Sequence, residues 1–309
     1  MNFFPNTHLK SNTYEPYNRK LHKWLSLFPE SQSSLHFLYT HPNFSIVTLR
    51  KYLVTQQVDT ATTLNSYIKA ALAAAEHNSS LFTNEDPALL LKCHTRWKEM
   101  RNHTYQDSMS YRMDATPAPS QVSKAGSQLT FSELCTIRDE LPQDSIAKLL
   151  LAFYTFIPPV RADYFATEIL PFGTSPSYPN YIHVNSERSS MTLTDFKTSA
   201  VYKSIHQDLP PALHSLLAHS LSIHPRTFLF INRFGKPFER NNFSIWAADL
   251  LEKTLQRPFT LTLFRHIYIS HLDPSMTPRE LQTISLKMGH SLTQQLLYRW
   301  KSDPKMDDD

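Results

Sequence analysis

The chain has 309 residues, a formal net charge of +4 and a pI near 8.9, a mild basic bias that permits a polyanionic partner without requiring one. A hydrophobic fraction of 41 % and an aromatic fraction of 12 % exclude a chain that stays disordered. Two cysteines, Cys93 and Cys135, without C-x-x-C spacing, argue against a zinc cluster and a disulfide framework, so free thiols and an intracellular, non-secreted protein are expected.

The N-terminal MNFFPNTHLK lacks the pattern of a signal peptide, and the longest apolar run, LLLAFYTFI over 149–157, is too short to span a membrane. Helical spacing of Tyr17, Leu21, Trp24, Leu25 and Phe28 predicts a helix over 14–27. Further helices are predicted over 47–54, over the alanine-rich 61–76, and over 87–100 with Pro87 in the first turn. Residues 1–112 hold 12 Lys and Arg against 8 Asp and Glu. A compact, mildly basic, all-helical domain over 1–113 is expected, and by itself it fits any helical purpose. Residues 114–128, DATPAPSQVSKAGSQ, are polar and proline-bearing, which reads as a linker able to reach about 50 Å when extended.

A second domain is expected over 129–309. Thr130 to Glu133 is a capping-box pattern, and Ser145 is placed to cap the next helix, which Pro158 and Pro159 stop. Strand signals at 181–184, 191–196 and 201–209 predict a small antiparallel sheet. Gly235 reads as a turn before a helix beginning after Arg240. The fold class expected is mainly α with a small antiparallel β-sheet, α+β.

The last third carries the candidate chemistry. Arg161 follows the proline break, and Asp163 is placed to hold its guanidinium. Lys197 stands at the tip between two strand candidates. Arg265 follows a strand-like LTLF lead and, if buried, needs an anionic partner. Thr277 to Glu280 combines a capping box with proline at the first helical position, Gly289 ends that helix, and His290 sits on a short fixed loop. Ser291 can cap a final helix with an apolar stripe of Leu292, Leu296 and Trp300, leaving Tyr298 on the other face. Each residue alone has a plainer reading: solvated surface charges for the cations, a ring-packed phenol for Tyr298.

In order, Arg161, Lys197, Arg265, Gly289-His290 and Tyr298 resemble the tyrosine recombinase (integrase) family, over about residues 129–300. The helical half resembles the family's core-binding domain more weakly. Thr262 stands where the family's H-x-x-R histidine falls, and Pro159 where a glycine is usual. The resemblance implies an all-helical core-binding domain, a catalytic domain, and double-stranded DNA as partner, with a homotetramer joining two sites. It implies no cofactor, no metal and no membrane. Tyr298 is implied as nucleophile, with Arg161, Arg265, His290 and Thr262 at the phosphate and Lys197 as proton donor. Site-specific recombination, such as integration of a mobile element or viral genome, is the implied function. A type IB topoisomerase and a DNA-binding relic without activity remain alternatives.

Overall fold

The computed structural model describes residues 2–5, 11–58, 60–116 and 129–300. The chain divides into two compact units, 1–110 and 111–309. Most of the expected linker, residues 117–128, lies outside the described residues.

Among the described residues the first unit holds five α-helices: α1 (Ser11–Leu25), α2 (Leu35–Thr40), α3 (Pro42–Thr55), α4 (Ala61–His77) and α5 (Pro87–Met113). Ser34 and Thr60 start α2 and α4 by accepting hydrogen bonds from the backbone N–H groups of Phe37 and Thr63. Ala70, Ala71 and Ala74 of α4 are buried, which lets neighbouring helices approach closely. Trp24 and Trp97 meet edge to face at 5.8 Å, and their indole N–H groups donate to Ser45 O and Tyr39 O. The helix expected over 87–100 runs on to Met113. Its second half lacks an apolar stripe, so periodicity could not extend it.

Among the described residues, the first helices lying wholly in the second unit are α6 (Phe131–Glu140) and α7 (Ile146–Thr155). The Thr130–Glu133 capping box forms as expected, whereas Ser145 occupies the cap position of α7 without a side-chain bond. From Ala147 to Thr155 every residue of α7 is buried, because sheet and helices surround it. The buried ammonium of Lys148 donates to Asp139 O and Leu141 O, satisfying carbonyls at the end of α6.

The sheet holds β1 (Glu168–Pro171), β2 (Asn180–Val184), β3 (Ser189–Leu193) and β4 (Ile205–Asp208), in that order. It is mixed rather than antiparallel: β1 runs parallel to β2, and the other pairs are antiparallel. The strand β1, sequence EILP, was too short and too close to proline to be legible. Residues 201 and 202, the start of the strand expected over 201–209, fall instead in a helical turn, α8 (Ser199–Tyr202). The remaining helices are α9 (Pro211–Ile223), α10 (Arg240–Leu255), α11 (Leu261–His271), α12 (Pro278–Lys287) and α13 (Leu292–Leu296). The chain is thus mainly helical with a small sheet. Among the described residues no helix is long and apolar enough to cross a membrane.

Candidate active site

Arg161 leaves the end of α7 on a main chain held at both its polar groups. Its N–H donates to Asp163 Oδ2 at 3.1 Å, and its carbonyl accepts from Tyr154 Oη at 2.5 Å. Burial pushes the Tyr154 phenol well above its ordinary range, so it stays a donor. Asp163 does not hold the Arg161 guanidinium, as the sequence suggested; it accepts the backbone N–H and pairs with Arg240. The Arg161 guanidinium instead donates from Nη2 to Tyr298 Oη at 3.3 Å.

Arg265 lies within α11. The strand-like LTLF lead is the first turn of that helix, where Leu261, Leu263 and Phe264 pack into the core. Arg265 is 0 % exposed. Its Nη1 donates to Pro159 O at 3.3 Å and Met288 O at 3.0 Å, and its Nη2 donates to His290 Nδ1. Its Nε is buried with no partner. Desolvation is the main cause that brings its pKa down to about 10, with Arg161 acting in the same direction and Tyr298 and Asp163 opposing, so the group remains charged at neutral pH. Among the described residues no carboxylate forms an ion pair with Arg265 or Arg161. A fully buried guanidinium without an acid is costly unless an anion completes it.

His290 follows from local sequence. The Thr277–Glu280 capping box starts α12, and Gly289 ends the turn after it with φ +66. A Cβ there would sit 3.0 Å from Phe196 Cε2 and 3.2 Å from Ile205 Cδ1, so glycine is required on two counts. His290 is 2 % exposed. Because Arg265 can only donate, Nδ1 of His290 supplies the lone pair and Nε2 carries the hydrogen. That Nε2 is buried with no partner. Burial, then Arg265 and Arg161, push its pKa down to about 3, against a smaller effect from Gln295. The imidazole is therefore a neutral donor with its proton-accepting nitrogen occupied.

Tyr298 was expected on the last helix, opposite a stripe of Leu292, Leu296 and Trp300. The helix α13, capped by Ser291 as foreseen, ends at Leu296, which is half exposed. Tyr298 lies in the turn beyond and is 9 % exposed, its ring packed with Ile269 and Met288. Its carbonyl accepts from His266 Nδ1 at 2.9 Å, and Trp300 N–H donates to Ser270 Oγ at 2.8 Å. The Arg265 guanidinium lies 5.0 Å from the centre of the Tyr298 ring, and the His290 ring stacks on it at 5.6 Å. So α11 both carries Arg265 and fastens the segment bearing the tyrosine.

Four of the six sequence candidates, Arg161, Arg265, His290 and Tyr298, thus meet in one cluster. Lys197 is exposed on the turn between β3 and α8. Its neighbours reach the cluster: Thr198 Oγ1 donates to Gly289 O at 2.5 Å, and Phe196 packs against Gly289. Thr262 is exposed one helical turn ahead of Arg265. His266, Asn180 and Arg240, which the structure places around these residues, stand in no motif of the sequence. The only local signal for His266 was its place beside Arg265.

The comparisons with known proteins add little. No family model and no curated protein matches the chain. Among solved structures, the chain is similar to the XerA recombinase at 14 % identity and TM-score 0.42, over 96 % of this chain and 89 % of that one. It is similar to the XerH site-specific recombinase bound to difH substrate in a pre-cleavage complex, at 14 % identity and TM-score 0.41, over 98 % and 96 %. A post-cleavage complex of XerH with a palindromic difH substrate gives 14 % and 0.40, over 96 % and 95 %.

Proposed function

We propose that the protein is a tyrosine recombinase that cuts and rejoins double-stranded DNA through a 3′-phosphotyrosine on Tyr298. One observation carries the reading: buried donors without acceptors gather around Tyr298. Arg265 Nε and His290 Nε2 are buried without hydrogen-bond partners, and the Arg161 guanidinium reaches the Tyr298 hydroxyl while Asp163 takes only its backbone N–H. A phosphodiester supplies the missing acceptors. It also gains charge as it is attacked, which two guanidiniums and a neutral N–H stabilise.

In the proposed reaction Tyr298 Oη gives its proton to water and attacks phosphorus. The bond from phosphorus to the 5′-oxygen breaks, and Lys197 protonates the leaving oxygen. A 5′-hydroxyl then attacks the phosphotyrosine, restoring the diester and freeing the tyrosine. Thr262, one turn before Arg265, offers a hydroxyl on the approach to the phosphate. The helical domain over 1–113 grips the DNA backbone with its surplus of cations, and four copies assemble on two sites. Movement of a mobile element or viral genome is the setting proposed.

The test is a nicked duplex whose short 5′ fragment is lost after cleavage, which traps the covalent complex. Wild-type protein should form the adduct in excess chelator. A protein that binds this duplex and never becomes attached is a DNA-binding relic. Relaxation of supercoils with no exchange between two sites points to a topoisomerase.

A further inference from the structure

The main chain carrying Arg161 and the turn carrying Lys197 are tied together twice. Asn180, at the start of β2 and buried, donates from Nδ2 to Asp163 O and Asp195 O, both at 2.9 Å. Its Oδ1 accepts from Thr194 N and Asp195 N at 2.9 and 2.8 Å. Every bond of that amide goes to backbone, so it fixes two main-chain segments.

Arg240 ties the same segments through side chains. Its Nη1 donates to Asp163 Oδ1, and its Nη2 donates to Asp195 Oδ1 at 3.1 Å and Asp195 O at 3.2 Å. Asp163 is 3 % exposed, and its other carboxylate oxygen accepts the N–H of Arg161. One guanidinium thus reaches Arg161 through a single carboxylate, and reaches the chain two residues before Lys197 through a second. Arg240 is also the first residue of α10, the end of a helix where its dipole disfavours a cation. Helix propensity does not account for an arginine there. The buried Asp163 does, and such local conflicts concentrate at functional sites.

We infer that Arg240 is a positioning residue that holds Arg161 and Lys197 in one frame around the scissile phosphate. The inference rests on the reading of Arg161 as phosphate clamp and Lys197 as proton donor. Asn180 holds both segments by backbone bonds, and Tyr154 adds a further hold on the Arg161 carbonyl that does not depend on Arg240. The Asp195 side chain is bonded by Arg240 itself, so loss of the fork is felt at the turn bearing Lys197.

Arg240→Lys in the full chain is the informative variant. A lysine keeps a charge beside Asp163 and so protects the fold, but a single ammonium cannot span both carboxylates as a fork does. Cleavage is compared on an ordinary nicked duplex and on one whose leaving 5′-oxygen is replaced by sulfur, which departs without a proton. Arg240→Lys should cleave the ordinary duplex about 10²-fold more slowly, the scale of an ångström-sized misplacement. It should regain most of that rate on the sulfur substrate, and adding Lys197→Ala should cost little more. Asp195→Ala, at an exposed side chain, should show the same pattern more weakly. A merely structural role lowers both substrates by one factor, the folded fraction. Equal losses on both substrates, or no loss in either variant, overturn the inference. If wild-type protein forms the adduct and Arg240→Lys behaves like it, only the positioning role falls. If wild-type protein forms no adduct on either substrate, the recombinase reading falls and takes this inference with it.

Discussion

Arg161 Nη2 lies 3.3 Å from Tyr298 Oη, across 137 residues of chain. The hydroxyl sits where an arginine aimed at a phosphate would hold a non-bridging oxygen. Phosphate binding should take over that hydrogen bond and leave Tyr298 beside the phosphorus. The two arginines are held differently, and this separates their variants. Arg161 is fixed through its backbone, while the Arg265 guanidinium itself bridges Pro159, Met288 and His290. Arg161→Ala should therefore leave the thermal midpoint near wild type and slow cleavage about 10²–10³-fold, the loss seen for one comparable donor. Arg265→Ala should slow cleavage at least as much and also lower the midpoint. Near-normal cleavage by Arg161→Ala would contradict a clamping role.

His290 gives a pH signature. Its pKa falls from the ordinary 6.5 to about 3 on folding, so the unfolded chain takes up this proton first. The stability contributed by the neutral imidazole is complete above pH 6.5 and is lost as pH falls toward 3. The steepest loss is about 1.4 kcal/mol per pH unit. Urea midpoints between pH 6.5 and 4.5 should fall more steeply for wild type than for His290→Gln. Parallel curves would mean that the ring is not held neutral.

Gly289→Ala should destabilise the protein. A left-handed residue with a Cβ costs about 1–2 kcal/mol, before the contact with Phe196 is counted. Cleavage should fall as well, because Gly289 sets the direction of His290. Calorimetry on the variant checks the first effect, and an unchanged midpoint would refute the glycine requirement.

Local rules made much of this site legible. The capping boxes at Thr130 and Thr277 and the left-handed Gly289 depend only on near neighbours, and all three formed as read. Arg161, Arg265, His290 and Tyr298, far apart along the chain, meet in space. What the sequence hid was non-local. Asp163 was assigned to the nearest cation, Arg161, but it pairs with Arg240, 77 residues away. Tyr298 was placed on a continuing helix because Leu292, Leu296 and Trp300 keep the period. The chain turns off at Leu296, where His266 and Ser270 take its backbone groups. The parallel pairing of β1 had no signal in four residues ending in proline.

Lys197, like Thr262, has no contact among the described residues that holds it at the cluster, which makes its test sharp. Lys197→Ala should cleave ordinary DNA slowly and recover much of the rate when the leaving 5′-oxygen is replaced by sulfur. Equal impairment on both substrates would remove Lys197 as the proton donor and turn attention to Lys203.

The central claim is that the covalent bond to DNA forms at one named hydroxyl. Wild-type protein, trapped on the nicked duplex and digested, should yield a single DNA-linked peptide, with mass spectrometry placing the phosphate on Tyr298. Tyr298→Phe should bind the duplex and yield none. A phosphate on Tyr268, Tyr202 or any other residue, or an adduct that survives Tyr298→Phe, would contradict the account.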